Sequence, residues 1–221
     1  MITQHTFSFL KELSENNNRD WFEANKPLFE KQQKETKAFF NEVGEALSKV
    51  DSIEKTKIFR IYKDVRFSKD KTPYKTNFGV TFGRTKPMLR GGYYLHIENN
   101  GSFLAGGFWE PNKEDLERIR KEIELDASEL REIITSANFK KYFGELIGDE
   151  VKTAPKGFDK THPDIDLIRK KQFIVVRKFT NKEVLSPNFK DEIIETYLAM
   201  RPYFDYMSSV LTTNLNGESL Y

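Results

Sequence analysis

Apolar residues recur at two different spacings along this chain, and the change between them separates helical regions from strands. Near the N-terminus, apolar positions spaced by three, four and seven residues are typical of amphipathic helices. They predict a short helix around Phe9 and Leu13, capped by Thr6, and a longer helix that begins at Pro27 and reaches Val50. We expect the longer helix to lie on a sheet.

After Ile53 the apolar spacing becomes two residues, which is typical of strands with one buried face. Asn99-Asn100-Gly101 predicts a hairpin between two of these strands. The predicted strands cover residues 59–67, 78–83, 93–98 and 103–105. If their apolar rows share one face, the other face carries Arg60, Tyr62, Asp64, Arg66, Tyr94, His96 and Glu98, beside the small residues Gly79, Thr81 and Gly83.

The rest of the chain returns to helical spacing, interrupted by one more strand. Residues 151–164 are rich in Pro, Gly, Lys and Asp and predict a long loop. Phe173–Thr180 predicts a strand, and Ser186-Pro187 begins a helix that Pro202 breaks or kinks. The pattern therefore predicts a single α+β domain over 1–211, with a mostly antiparallel sheet of about five strands covered by N-terminal and C-terminal helices. Residues 212–221 are expected to form a flexible tail.

Composition excludes several classes of protein. The chain has 221 residues, 38% of them apolar, so it can form a sizeable core. It contains no cysteine, which excludes disulfides, thiolate zinc sites and a thiol nucleophile. It has no apolar run of membrane-spanning length and no leader pattern, so we expect a cytoplasmic protein that does not enter a membrane.

The overall charge of +2 hides a strongly basic segment. Between Lys55 and Arg90 there are eleven Lys or Arg residues against two Asp residues, a local net charge of +9. Such a segment attracts anionic partners. We interpret three of its lysines as a solvated edge: Lys55, Lys57 and Lys86.

Two arginines on one strand face suggest a site for an anion, because a guanidinium group binds carboxylate or phosphate through two parallel hydrogen bonds. Arg60 and Arg66 would contact the anion, and Asp64 would orient one of them or accept a proton. The same site would include Tyr62 and Tyr94 on the sheet, and Lys71, Tyr74 and Lys75 in the loop that follows. We therefore predict a pocket for a phosphorylated or carboxylated small molecule, in an enzyme or a ligand receptor.

Catalysis would need a proton acceptor in this pocket. His96 is a candidate general base with Glu98 as an orienting carboxylate, although packing is the more common role of a single histidine in an aromatic strand. Trp109 could stack on a ligand, although burial at a strand end is the more common role of tryptophan.

No cofactor or metal site is expected. The glycine pairs of the sequence do not form a nucleotide-binding motif. The segment from His162 to Asp166 is better explained as a turn and helix cap than as a metal site.

Several segments resemble the bacterial family catalogued as domain of unknown function 2461. The most specific is Arg60 to Tyr74, with Lys63-Asp64, Arg66-Phe67 and Asp70-Lys71-Thr72-Pro73-Tyr74. Other similar segments are Arg19-Asp20-Trp21-Phe22, Gly92 to Ile97, Gly106 to Pro111 and Asp164 to Lys171. One departure is Lys63, where the family pattern usually has arginine. The resemblance implies a single-domain α+β protein and carries no activity.

Two alternatives to the small-molecule pocket stay open. The basic segment could contact nucleic-acid phosphates while Tyr62, Tyr74 or Trp109 stack on bases. Alternatively, Arg60, Asp64 and Arg66 could form an ion network that stabilises the fold and binds no ligand.

Overall fold

The computed structural model describes residues 1–221, and its elements follow the predicted order of helices, strands and further helices. The first helices are α1 (Gln4–Glu15), α2 (Arg19–Ala24) and α3 (Lys26–Leu47). Four strands follow: β1 (Ile53–Ile58), β2 (Asn77–Arg84), β3 (Gly92–Glu98) and β4 (Phe103–Phe108). The remaining elements are α4 (Lys113–Leu125), α5 (Ser128–Thr135), α6 (Ala137–Phe143), α7 (Ile165–Ile168), β5 (Phe173–Lys178), α8 (Asn181–Val184) and α9 (Phe189–Thr212).

The five strands form one antiparallel sheet in the order β1-β2-β3-β4-β5. Strands adjacent in sequence are adjacent in space, and only β4 and β5 are separated by helices. The predicted α+β class and five-stranded antiparallel sheet are therefore confirmed. The hairpin between β3 and β4 is confirmed as well, with Asn100 at a φ of 58°, which asparagine tolerates better than most residues.

One face of the sheet is buried beneath the long helices α3 and α9. Phe82 of β2 packs against α3 at Gly44, where a Cβ atom would come within 3.1 Å of the Phe82 ring. Gly106 of β4 lies under α9, so close that a Cβ atom would overlap the sulfur of Met200. The alternate residues of β2 and β3 face the other way and are mostly half-buried. No helix is both long enough and apolar enough to span a membrane.

A buried ion network fastens α9 to the covered face of the sheet. Arg84, at the end of β2, has a fully buried side chain, and its Nε lies 2.8 Å from a carboxylate oxygen of Asp51. Its Nη2 lies 2.6 Å from Asp205 of α9. The Tyr93 hydroxyl donates to Asp51 at 2.5 Å. Because Asp51 lies two residues before β1, the network connects the start of β1, the end of β2, and α9.

The strand predicted over 59–67 is wrong. Residues 60–75 form an irregular loop, closed at its base by hydrogen bonds from the Lys63 amide to Pro73 and from the Lys75 amide to Ile61. Two aspartates explain the loss of strand pairing, because each accepts a hydrogen bond from the amide two residues later, Asp64 from Arg66 and Asp70 from Thr72. Phe67 is 95% exposed as a result.

The predicted N-cap of the first helix is also wrong. Helix α1 begins at Gln4 with Thr3 as its N-cap, so Thr6 already lies within the first turns. The Thr6 side chain is buried and its hydroxyl donates to Gln32 of α3 at 3.0 Å. A residue type that commonly caps helices here joins two helices instead.

The C-terminal helix continues past its proline. Pro202 lies inside α9 and does not end it, because Met200, Tyr203 and Phe204 are fully buried on either side and hold the helix in place. After α9, Arg118 donates to the carbonyl oxygens of Thr213 and Asn214, so these two residues are attached to α4. Flexibility of the tail stays a prediction.

We expect Arg84→Met to destabilise the fold strongly, because it leaves the Asp51 carboxylate buried without its main partner. Breaking a buried ion pair on one side typically costs about 3–5 kcal/mol of unfolding free energy. The control is Arg66→Met, which removes a guanidinium from an exposed pair and should change stability little. Urea unfolding measures both, and equal losses in the two variants would contradict a fastening role for Arg84.

Candidate functional site

The face of the sheet turned away from α3 and α9 carries polar and aromatic side chains beside very small ones. In the register of β2 and β3, Thr81 lies opposite Tyr94 and Gly79 lies opposite His96. This pairing confirms the prediction that Tyr94, His96 and Glu98 share a face with Gly79, Thr81 and Gly83. We call this surface the open face.

A groove of about 680 Å³ lies on the open face. Its floor is made of small residues from three strands: Thr81, Gly83, Gly92, Ala105 and Gly107. Larger side chains border it: Glu54, Lys55, Lys57 and Phe59 from the β1 side, Tyr94 and Phe103 from the sheet, and Lys86, Trp109 and Ile174. Lys55, Lys57 and Lys86 are exposed, as expected for a solvated edge, and they also line this groove.

Cationic groups collect around one aromatic ring at the border of the groove. Phe59 follows β1 and stays beside β2, because its amide donates to the Gly79 carbonyl at 2.9 Å. The Nζ atoms of Lys57 and Lys75 lie 5.3 Å and 5.1 Å from the centre of its ring, and the ring of Tyr94 lies 6.2 Å away. We call these residues, with the adjacent Arg60, the Phe59 cluster.

The cations of the Phe59 cluster form no ion pair with a carboxylate of the protein. No carboxylate lies within 4.0 Å of the side-chain nitrogens of Lys57, Arg60 or Lys75, although other cations of the basic segment are paired. Burial lowers the pKa of Lys75, and the charges of Arg60 and Lys57 lower it further. The fold therefore holds positive charges close together, and a bound anion would reduce the repulsion between them.

A chain of hydrogen bonds crosses the open face beside this cluster. The Tyr94 hydroxyl lies 2.9 Å from His96 Nδ1, and His96 Nε2 lies 3.0 Å from a carboxylate oxygen of Glu98. The second oxygen of Glu98 accepts from the Thr76 hydroxyl at 2.7 Å. The imidazole also stacks on Phe103, with 4.5 Å between ring centres. Side chains two residues apart on a strand thus do touch.

The acceptor at the end of this chain determines where its protons lie. A carboxylate only accepts hydrogen bonds, so Nε2 of His96 carries the proton and Nδ1 is free to accept the proton of the Tyr94 hydroxyl. Burial lowers the pKa of His96 below 6.5 despite the bond to Glu98, so the imidazole is neutral near pH 7. Burial also raises the pKa of Tyr94, which keeps the phenol protonated.

Gly79 makes room for the hydroxyl group at the start of the chain. A Cβ atom on Gly79 would lie 2.9 Å from the Tyr94 oxygen, closer than real Cβ contacts come. The glycine is therefore needed for the hydroxyl to stay where it reaches His96.

The two arginines predicted to bind an anion together have different surroundings. Arg66 binds the Asp64 carboxylate with two hydrogen bonds, at 2.9 Å and 2.7 Å, and both side chains are largely exposed. The pKa of Asp64 is lowered by these bonds, which makes its carboxylate a poor proton acceptor. No hydrogen bond connects Asp64 with His96. Arg60 is exposed and unpaired, and its charge acts on Lys75.

The other predicted residues of the 60–75 loop do not line the groove. Tyr74 is 3% exposed and stacks on Phe22 of α2, with 3.9 Å between ring centres. Tyr62 packs against the same two rings, in a smaller hollow next to α2. Lys71 donates to the carbonyl of Val65 within the loop. Lys63, where the family pattern usually has arginine, fastens the loop by donating to Asp70 and Thr72.

Trp109 is not buried at the strand end. It is 62% exposed and borders the groove at the end of β4, which leaves its ring accessible for stacking.

The segment around His162 is held by protein contacts. The side chains of Asp164 and Asp166 both pair with Arg131 of α5, at 2.9 Å and 2.5 Å. His162 accepts a hydrogen bond from the Asp164 amide through Nδ1, so this segment forms a local turn.

The fold and the site define an α+β protein with one helix-covered sheet face and a basic, aromatic groove on the other. The chain belongs to the family of conserved hypothetical proteins called DUF2461, whose family model matches residues 5–206. The resemblance seen in the Arg60 to Tyr74 segment is thereby confirmed. No curated protein and no solved structure matches the chain. The family name carries no activity, so the function has to be inferred from the geometry.

We expect His96 to titrate below pH 6.5 and to carry its proton on Nε2 when neutral, because burial disfavours the charged ring and Glu98 accepts from Nε2. Glu98→Gln should lower this pKa further, since it removes the only carboxylate partner. If the new glutamine keeps its amide oxygen toward Thr76, its NH₂ group donates a hydrogen bond to Nε2 of His96. Nε2 must then be unprotonated, so the neutral ring carries its proton on Nδ1. Long-range ¹H–¹⁵N spectra against pH report both quantities. A wild-type ring protonated on Nδ1 would contradict the assignment.

Proposed function

We propose that this protein binds an anionic small molecule in the groove of the open face, with the charged group beside the Phe59 cluster. The observation that carries the proposal is the grouping of Lys57 and Lys75 around Phe59, with Arg60 close enough to act on Lys75 and with no ion pair to a carboxylate. Holding like charges together destabilises the free protein, and an anion bound there would relieve the repulsion.

The distribution of ion pairs in the basic segment supports this location. Four of its eleven cations are paired with carboxylates: Lys63, Arg66, Arg84 and Arg90. Of the seven that are unpaired, three line the groove and two more belong to the Phe59 cluster: Lys55, Lys57 and Lys86, then Arg60 and Lys75. The unpaired charge is therefore concentrated at the groove rather than spread evenly over the segment.

The groove also suits the uncharged part of a ligand. Its volume of about 680 Å³ is within the ordinary range for small-molecule sites. Phe59, Phe103 and Trp109 offer apolar and aromatic surface next to the lysines. These features favour a small organic molecule that carries a phosphate or carboxylate over a simple inorganic ion.

Single-stranded nucleic acid is a second candidate, and the exposed ring of Trp109 is the observation in its favour. A groove with lysines and accessible aromatic rings can contact phosphates and stack on bases. Two aromatic residues proposed for stacking, Tyr62 and Tyr74, pack against Phe22 away from the groove, which weakens this alternative. We therefore prefer the small molecule.

A purely structural role for Arg60, Asp64 and Arg66 is poorly supported. The pair of Asp64 and Arg66 is exposed and joins residues two apart, so it connects no separate elements. Arg60 has no ion-pair partner. Arg84 and Asp51 are the residues that form a buried structural network.

We expect the triple variant Lys57→Ala, Arg60→Ala, Lys75→Ala to lose at least about tenfold in affinity for inorganic pyrophosphate, because it removes three of the five unpaired cations near the groove. The matched control is Arg66→Ala, Lys69→Ala, Lys71→Ala, which removes the same charge from the same segment but outside the groove. Its affinity should stay within about twofold of the wild type. Calorimetric titration at fixed ionic strength measures both.

Two results would contradict the proposal. One is an equal loss of affinity in both triple variants, which would indicate general electrostatic attraction. The other is a preference for a short single-stranded oligonucleotide over pyrophosphate, with steep salt dependence and loss on Trp109→Ala, which would support nucleic-acid binding.

A further inference from the structure

The hydrogen-bond chain fixes the direction of the hydroxyl proton of Tyr94, a residue that lines the groove. That proton is directed to His96 Nδ1, because Nε2 is committed to Glu98. The oxygen therefore has only lone pairs left for any group that approaches from elsewhere. A ligand at this point must donate a hydrogen bond to Tyr94, since it cannot receive one.

We infer that the groove selects an anion that carries its own hydrogen-bond donor, with Tyr94 as the acceptor that recognises it. The ligand class is an organic anion with a hydroxyl on or next to its charged group, such as a hydroxy acid or a sugar phosphate. This inference rests on the proposed function, because the cations of the Phe59 cluster attract anions in general and Tyr94 discriminates among those anions.

The lysines and the ring of Tyr94 are neighbours of the same Phe59 ring. The Nζ atoms of Lys57 and Lys75 lie 5.3 Å and 5.1 Å from the Phe59 ring centre, and the centre of the Tyr94 ring lies 6.2 Å from it. An anion without a donor would gain the attraction but would face the lone pairs of Tyr94. Two hydrogen-bond acceptors that face each other are unfavourable, whereas a donor on the ligand forms a hydrogen bond to the Tyr94 oxygen.

His96 and Glu98 act here as positioning residues. They do not need to touch the ligand, because their role is to hold the Tyr94 proton away from the groove. Thr76 fixes one oxygen of Glu98, so the other stays directed at His96. Gly79 leaves the space that the Tyr94 oxygen occupies.

Hydrogen phosphate and sulfate are matched probes, since both are tetrahedral oxyanions and only hydrogen phosphate carries a proton. At pH 7.5 and constant ionic strength, we expect the wild type to bind phosphate at least about fivefold more tightly than sulfate, measured by NMR titration of the amides of Thr81 and Gly92. Tyr94→Phe keeps the ring and removes the acceptor. It should weaken phosphate binding and leave sulfate binding unchanged or stronger. Tyr62→Phe, outside the groove, is the control and should behave as the wild type.

Glu98→Gln tests the positioning role without touching the groove. With the ring proton on Nδ1, His96 would donate to the Tyr94 oxygen, and the Tyr94 proton would turn outward. The preference for phosphate should then be lost or reversed in favour of sulfate, together with the change of tautomer. A merely structural contribution of Glu98 would weaken both anions alike.

The outcomes separate this inference from the proposed function. If neither anion perturbs the groove residues, the proposed function fails and the inference with it. If both bind equally and Tyr94→Phe changes neither affinity, anion binding stands and the inference is overturned. A phosphate preference that Tyr94→Phe abolishes and Tyr62→Phe retains supports it.

Discussion

The two faces of the antiparallel sheet have different surroundings, and the rest of the structure depends on that difference. Strict alternation along β2 and β3 sends one row of large apolar side chains into the core beneath α3 and α9. The side chains of the opposite row cannot be equally large and apolar without exposing a large hydrophobic surface to water. This row contains the small and aromatic residues that line the groove, and His96 and Glu98 extend the hydrogen-bond chain of Tyr94 beside them.

Charges are also divided between the two faces. On the covered face, Arg84 lies among Asp51, Asp205 and the hydroxyl of Ser208, so its positive charge is balanced by carboxylates of the protein. Near the groove, Lys57 and Lys75 have an aromatic ring as their close partner and no carboxylate. The first arrangement stabilises a fold, and the second leaves binding capacity for a ligand.

Periodicity predicted most of the fold because the two rows of β2, β3 and β4 differ clearly in size and polarity. Periodicity failed for residues 60–75, where Ile61, Val65 and Phe67 have the apolar spacing of a strand but form none. Local hydrogen bonds at Asp64 and Asp70 form turns there, and Pro73 cannot donate to a ladder. The two aspartates and the proline are evident in the sequence and favour turns. Their effect is stronger than that of the two-residue apolar spacing here, because no neighbouring strand pairs with this segment.

The site was predicted in part because alternation along a true strand shows which side chains share a face. Tyr94, His96 and Glu98 lie on a true strand, so their shared face could be inferred, but their hydrogen bonds depend on rotamers that spacing does not specify. Lys57 and Phe59 gain their roles only because Lys75, sixteen residues after Phe59, returns to the same ring. Arg84 could not be recognised as buried, since its partners Asp51 and Asp205 are distant in sequence.

The location of a bound oxyanion tests the central claim most directly. Crystals of the protein soaked in arsenate at pH 7.5, where the anion carries one proton as hydrogen phosphate does, would show the bound anion by its anomalous scattering. We predict the strongest peak beside the Phe59 ring, within contact distance of Lys57, Arg60 or Lys75. A strongest peak at Arg66 or elsewhere on the 60–75 loop, with none at the groove, would contradict the account.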